Sequence, residues 1–208
     1  MTGALAKCRR CPRLAQHLDH MAELHPDHHC APVGRWGAKR PRLLIVGLAP
    51  GASGANRTGR AFVGDSSGKT LFAALANTGW ATSVHPHDAR LPRAAITNVV
   101  KCLPPENRPT AAEIRECGIW LAPELEAHLK RSRRPSAVLC LGGVATDAVR
   151  RMLGLPRRPF EHGWIEPLAG SHYLASAYHP SRQNVNTGRL KPGMLEAVLN
   201  ELRERLGP

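Results

Sequence analysis

Four cysteines stand in two pairs: Cys8 and Cys11 form a C-x₂-C motif, and Cys102 and Cys117 are separated by fourteen residues. In a reducing compartment such thiols are better explained by metal ligation, catalysis or burial than by disulfides. Four thiolates suit either a tetrahedral zinc ion or a [4Fe–4S] cluster, since both centres favour sulfur. Spacing alone does not separate the two, although one short pair and one long pair differ from the two short knuckles of most structural zinc sites. Cys140 falls in the apolar run Val138-Leu139-Cys140-Leu141 and reads as a packing residue. Cys30 closes the tract His25-Pro26-Asp27-His28-His29-Cys30, whose metal-binding character is compositional only.

Two polar stretches leave apolar runs and carry the remaining chemistry. The first extends from Gly47 to Asp65 and is dense in glycine, so its backbone can approach a ligand closely. It matches neither the Walker A pattern nor G-x-G-x-x-G, which argues against a nucleotide cofactor. The second extends from His179 to Leu190 and is rich in amides. Asn98 is a polar residue inside an apolar run, a costly placement unless its amide finds partners, and it therefore marks a candidate site. Asp65 reads either as a functional carboxylate or as the N-cap of the segment that follows. The charge state of His179 is set near neutrality by small environmental shifts.

The elements that must position these groups follow from the pattern. Arg42 to Val46, Ala94 to Val100, Ser136 to Gly142 and His172 to Tyr178 are short apolar runs suited to central strands. Helices are expected from Pro12 to about Glu23, Gly68 to Trp80, Thr110 to Lys130, Val144 to Leu153 and Leu190 to Leu206. Thr110 and Glu113 give the third of these a capping box. The alternation predicts an α/β fold: one domain over residues 1–208 with a central, mostly parallel four-stranded sheet between helical layers, a three-layer α/β/α arrangement. Residues 1–41 would form an N-terminal cap with the first two cysteines, and 42–208 the core. Ligands of such sheets bind beyond the carboxyl ends of the strands, so the loops after Val46, Val100 and Tyr178 should converge. With 29 basic and 16 acidic residues the formal net charge is +13, which favours a polyanionic partner. A basic patch runs from Lys130 to Arg134. No apolar run approaches the length of a membrane span and no signal segment is evident, so a cytoplasmic protein without membrane contact is expected; it is further expected to be nucleoid-associated and monomeric.

The two loops and the four cysteines together resemble the iron–sulfur uracil-DNA glycosylases, specifically the family 5 or type B branch. The first loop carries Gly47-Leu48-Ala49-Pro50, Gly54-Ala55-Asn56-Arg57-Thr58-Gly59-Arg60, and Phe62 before Gly64-Asp65. The second carries His179-Pro180-Ser181 and Asn184 before Thr187-Gly188-Arg189-Leu190. Lys101-Cys102 and Asn107 to Thr110 also fit, so the resemblance spans Cys8 to Arg189. It implies a monofunctional DNA-repair hydrolase that flips uracil, and other deaminated bases such as hypoxanthine, out of DNA and leaves an abasic site. It implies that backbone groups of Gly47, Leu48, Ala49 and Gly51 hold the base, that Phe62 stacks on it, and that Asn98 reads its edge. Asp65 would position water and stabilise the cationic sugar, and His179 would donate to the departing base or to phosphate. Ser181 to Asn186, with Ser181 and Asn184 foremost, would enter the minor groove, and Arg57, Arg60 and Arg189 would contact phosphates. Cys8, Cys11, Cys102 and Cys117 would hold a structural [4Fe–4S] cluster. Gly51 and Ala52 stand where many superfamily members place a water-activating polar residue, a feature of this branch. Ser53 departs from the histidine of many family 5 sequences and is assigned no role. The alternatives are a non-catalytic or base-trapping member of the superfamily and a zinc-stabilised nucleic-acid-binding domain.

Overall fold

The computed structural model describes residues 2–130 and 134–207, so the centre of the basic patch expected from Lys130 to Arg134 lies outside the described residues. The elements in chain order are α1 (Thr2–Ala6), α2 (Pro12–Leu24), β1 (Trp36–Gly37), β2 (Leu43–Gly47), α3 (Ala55–Thr58), α4 (Ser66–Asn77), β3 (Ala94–Asn98), α5 (Ala111–Lys130), β4 (Ala137–Leu141), α6 (Gly143–Met152), β5 (Ile165–Leu168), β6 (His172–Ala177), α7 (Arg182–Asn186) and α8 (Met194–Leu206).

The sheet order is β1-β3-β2-β4-β6-β5. The four central strands are parallel, as their apolar runs predict, while β1 pairs with β3 and β5 with β6 in the antiparallel sense. The sheet is therefore mixed and six-stranded, which corrects the expected count of four. The two edge strands escaped notice because β1 is two residues long and β5 contains Pro167 and is only partly buried. Proline is tolerated at a sheet edge and masks the strand pattern.

Strand periodicity divides the core into two layers. Leu43, Ile45, Ala94, Ile96, Ala137, Leu139 and Leu141 face one side and pack with Leu71, Phe72 and Leu75 of α4 and Leu195, Leu199 and Leu202 of α8. Their alternating neighbours Leu44, Val46, Ala95, Val138 and Cys140 face the other side, against Leu14 and Leu18 of α2, Leu121 and Leu125 of α5, and Val149 of α6. Because both faces are covered, these strands read as continuous apolar runs. Cys140 is fully buried there, as a packing residue should be.

Caps fix where the helices begin. The expected capping box forms at α5: Glu113 N donates to Thr110 Oγ1 at 3.2 Å and Thr110 N donates to Glu113 Oε2 at 2.7 Å. Asp65 caps α4, which begins at Ser66, two residues before its expected start. α8 begins at Met194, later than expected from Leu190, because Pro192 and the left-handed Gly193 intervene. Among the described residues no helix is long and apolar enough to cross a membrane.

Candidate functional site

The register of the central strands brings Gly47, the last residue of β2, beside Asn98, the last of β3. A Cβ at position 47 would lie 2.5 Å from Asn98 Oδ1 and 2.7 Å from Phe62 Cε2, so only glycine lets the two side chains close over the strand end. Asn98 is 2 % exposed and its Oδ1 has no hydrogen-bond partner. An orphaned amide oxygen at the carboxyl end of a parallel strand is costly in a folded chain and suits a ligand's donor.

Phe62 is 7 % exposed and adopts a left-handed backbone, φ 61°, an uncommon conformation for a bulky residue. Its flanks hold it there. Trp36 Nε1 donates to Ala61 O at 3.0 Å, Thr58 Oγ1 donates to Val63 O at 2.9 Å, and Gly68 lets α4 pack closely beneath the Phe62 carbonyl. Such strain persists only where the surroundings over-determine it. The ring belongs to the core beside α4 and also faces His179, with centroids 5.5 Å apart.

His179 enters directly after β6 and is half-buried. Burial holds its imidazole below the usual pKa, opposed by the carboxylate of Asp65, which favours the neutral ring. Asp65 splits its two oxygens between tasks. Oδ1 accepts from Gly68 N at 2.8 Å and caps α4, while Oδ2 lies against Gly51 and Gly54. A Cβ at position 51 would sit 3.3 Å from Oδ2, and one at position 54 would collide with it.

On the first loop, Gly47 O and Leu48 O accept from Val99 N and Val100 N, and Gly51 O accepts from Asn56 N. Leu48 and Ala49 are half-buried. Arg57 is exposed, but its guanidinium folds back onto Ser53 O and Gly64 O. Arg60 is exposed beside the Trp36 ring and Arg189 beside the Tyr178 ring. Ser181 caps α7 through Asn184 N, and Asn184 Nδ2 donates to His179 O at 2.8 Å. The structure thus gathers Gly47, Phe62, Asn98 and His179 at one strand end with Asp65 alongside. Arg57, Ser181 and Asn184 meanwhile shape the loops around them.

On the other side of the sheet Cys8, Cys11, Cys102 and Cys117 line one cleft, together with Leu5, Leu14, Lys101 and Trp120. Cys8 follows α1, Cys11 precedes α2, Cys102 follows β3 and Cys117 lies in α5. Trp120 Nε1 donates to Cys8 Sγ at 3.4 Å and Lys101 N donates to Cys117 Sγ at 3.2 Å. Burial, with the neighbouring cysteines, pushes the Cys102 thiol up to about 12; burial pushes Cys117 up to about 11, opposed by the Lys101 amide and ammonium. Arg13 of α2 forks onto Glu113 of the capping box at 2.8 and 2.7 Å, which holds the N-terminal helix to α5. Among the described residues no three His, Cys, Asp or Glu side chains form a group ready to hold a single metal ion.

Sequence reasoning gave no role to Trp36, Asn56 or the Lys101 side chain. Lys101 is fully buried, with Nζ 2.5 Å from Thr97 Oγ1 and 2.8 Å from Glu124 Oε2, and it stands between Asn98 and Cys102 in the chain. A lysine directly after the apolar Val99-Val100 was the available signal. Asn56 is fully buried in α3, where its Nδ2 meets Cys30 Sγ at 3.4 Å.

Comparison with known proteins gives the same direction. The family model described as the uracil DNA glycosylase superfamily matches residues 35–203. A type-5 uracil-DNA glycosylase of Mycobacterium tuberculosis is 40 % identical over the whole chain and 81 % of its own length. One of Pyrobaculum aerophilum is 44 % identical over 94 % of the chain and 87 % of its own length, and one of Thermus thermophilus 38 % over 98 % and 95 %.

Proposed function

This chain belongs to the uracil-DNA glycosylase superfamily, and from that premise we propose that it is a uracil-DNA glycosylase acting in DNA repair; its type-5 relatives are named uracil-DNA glycosylases. The reaction is hydrolysis of the bond between uracil and its deoxyribose. The observation that carries this reading is the unpartnered, buried Oδ1 of Asn98 beside Gly47 and Phe62. Uracil presents one N–H donor between two carbonyl acceptors, so a flipped uracil would give N3–H to Oδ1 and rest its ring against Phe62. The carbonyls of Gly47, Leu48 and Gly51 already accept protein hydrogen bonds, so the turn's remaining contribution is its amides, which suit the carbonyl oxygens of uracil.

Breaking the glycosidic bond builds positive charge on the sugar and negative charge on the base. Asp65 supplies the carboxylate for the first. Its Oδ2 reaches the space a side chain at position 51 would occupy, which is where other members place a polar residue and this chain has Gly51. A neutral His179 can donate one hydrogen bond toward the base without adding a cation beside the sugar. Arg60 and Arg189, both exposed, are the candidates for phosphate contact, with Arg57 committed to its own loop.

The four cysteines fit a [4Fe–4S] cluster. They line one cleft, and two of their sulfurs already accept N–H donors. Bound there, the cluster would cross-link the segments before α2 and after β3. Purified protein should show the visible absorbance of an iron–sulfur centre, whereas a colourless protein with one zinc per chain would overturn this part.

The function is tested by single-turnover excision on duplexes carrying uracil, hypoxanthine, xanthine or a thymine mispair. Uracil should be removed, and we extend the proposal to hypoxanthine because the base pocket rests on backbone groups and one amide. An absence of excision from every duplex would refute the reading.

A further inference from the structure

We propose that His162 is a positioning residue for the second loop, closing it at both ends with one imidazole; this rests on the assignment of His179 above. Beyond Ile165 the antiparallel ladder with β6 continues: Ser176 N donates to Trp164 O at 2.9 Å and Gly163 N to Ser176 O at 2.8 Å. At the following rung a side chain replaces the backbone. Tyr178 N, the last donor before His179, donates to His162 Nδ1 at 3.0 Å.

That bond decides the tautomer. Nδ1 holds a lone pair, so the proton sits on Nε2, which donates to Met194 O at 3.3 Å. Met194 opens α8. Tyr178 and Met194 flank residues 179–193, the whole segment that contains His179, α7 and Arg189. One ring therefore ties the point where the chain leaves the sheet to the point where it enters the last helix.

Ring packing fixes the same spot. His162 stacks on Tyr178 with centroids 5.0 Å apart and planes 15° apart, Phe160 tilts against Tyr178 at 5.5 Å, and the Arg189 guanidinium approaches it at 5.9 Å. Burial keeps His162 below its usual pKa, which maintains the neutral ring that both bonds require. The adjacent Glu161 pairs with Arg158, and Arg189 lies over the face of Tyr178.

A shift of about 1 Å in a reacting group can cost on the order of a hundredfold in rate, so loosening this closure should reach His179. His162→Phe keeps a stacking ring without an acceptor, whereas His162→Asn places an amide oxygen near the position of Nδ1. The experiment compares both with wild type in hydrogen exchange of the Tyr178 amide, single-turnover uracil excision and thermal stability. His162→Phe should raise Tyr178 exchange and lower excision by about tenfold or more, and His162→Asn should restore most of both. Unchanged Tyr178 exchange in His162→Phe, or equal losses in the two variants, would overturn the proposal. A His179→Ala variant excising at the wild-type rate would instead refute the role of His179, a separate failure, because Tyr178 exchange reports the closure without catalysis.

Discussion

Replacing Asn98 by Leu keeps the branching of the side chain and removes its polar atoms. In the free protein Oδ1 is buried without a partner, a state that costs about 1–3 kcal/mol. Leucine removes that cost, so the variant should be at least as stable as wild type. A gain of 1 kcal/mol in a chain of this size raises Tm by about 2–4 °C. Catalysis should move the other way. With uracil bound, N3–H would face an apolar group in a dry site, and loss of a preorganised partner there costs about 3–4 kcal/mol, or roughly a hundredfold to a thousandfold in rate. The assays are thermal unfolding of the free protein and single-turnover excision of uracil, with cytosine as the competing base. A variant that unfolds several degrees earlier yet excises uracil at the wild-type rate would refute the argument, because Asn98 would then be a structural residue whose partner lies within the fold.

Asp65→Asn should keep the cap on Gly68 N, since an amide oxygen can replace Oδ1, while removing the charge beside Gly51; excision should fall by about a hundredfold or more at nearly unchanged Tm. Asp65→Ala should lose the same activity and about 1 kcal/mol of stability with the cap, and equal excision by the Asn variant and wild type would reduce Asp65 to a helix cap. For pH, His128 is buried with Nε2 donating to Ala137 O at 2.9 Å, and burial pushes its pKa down to about 4. The unfolded chain takes up this proton below its ordinary pKa of about 6.5, whereas the folded chain does not until about 4. Stability is thus fully present above about pH 6.5 and is lost as pH falls toward 4, by up to about 3 kcal/mol from this residue. Urea midpoints at neutral pH and near pH 4.5 measure the loss, and an equal loss in His128→Gln would show that other groups cause it.

The four parallel strands were legible because burial on both faces leaves mostly apolar runs: all five positions of β2, β3 and β4 are buried, the polar Thr97 and Asn98 of β3 included. The edges were illegible for the complementary reason. β1 has only two residues, and β5 is half exposed and carries a proline, so neither forms a periodic pattern. The charge networks were hidden too. A lone Lys101 or Arg150 in sequence does not announce that Glu124 or Glu166 will meet it in the interior. Such pairs depend on topology, which brings α5 beside β3 and β5 beside α6.

The site was legible as a set of positions more than as a set of tasks. Sequence reasoning offered two readings of Asp65, cap or carboxylate, and the structure satisfies the first with one oxygen while leaving the second against Gly51 and Gly54. Phe62 shows the same overlap: it is a core residue in a left-handed backbone whose ring also faces His179. Ser181 and Asn184, expected to face a groove, use their side chains to cap α7 and to hold the carbonyl of His179. A motif so dense in polar residues therefore encodes the folding of its own loop as well as contacts with a ligand. The closure by His162 follows the same rule from outside the motif, and only the geometry could expose it, because the two ends it joins lie 16 and 32 residues further along the chain.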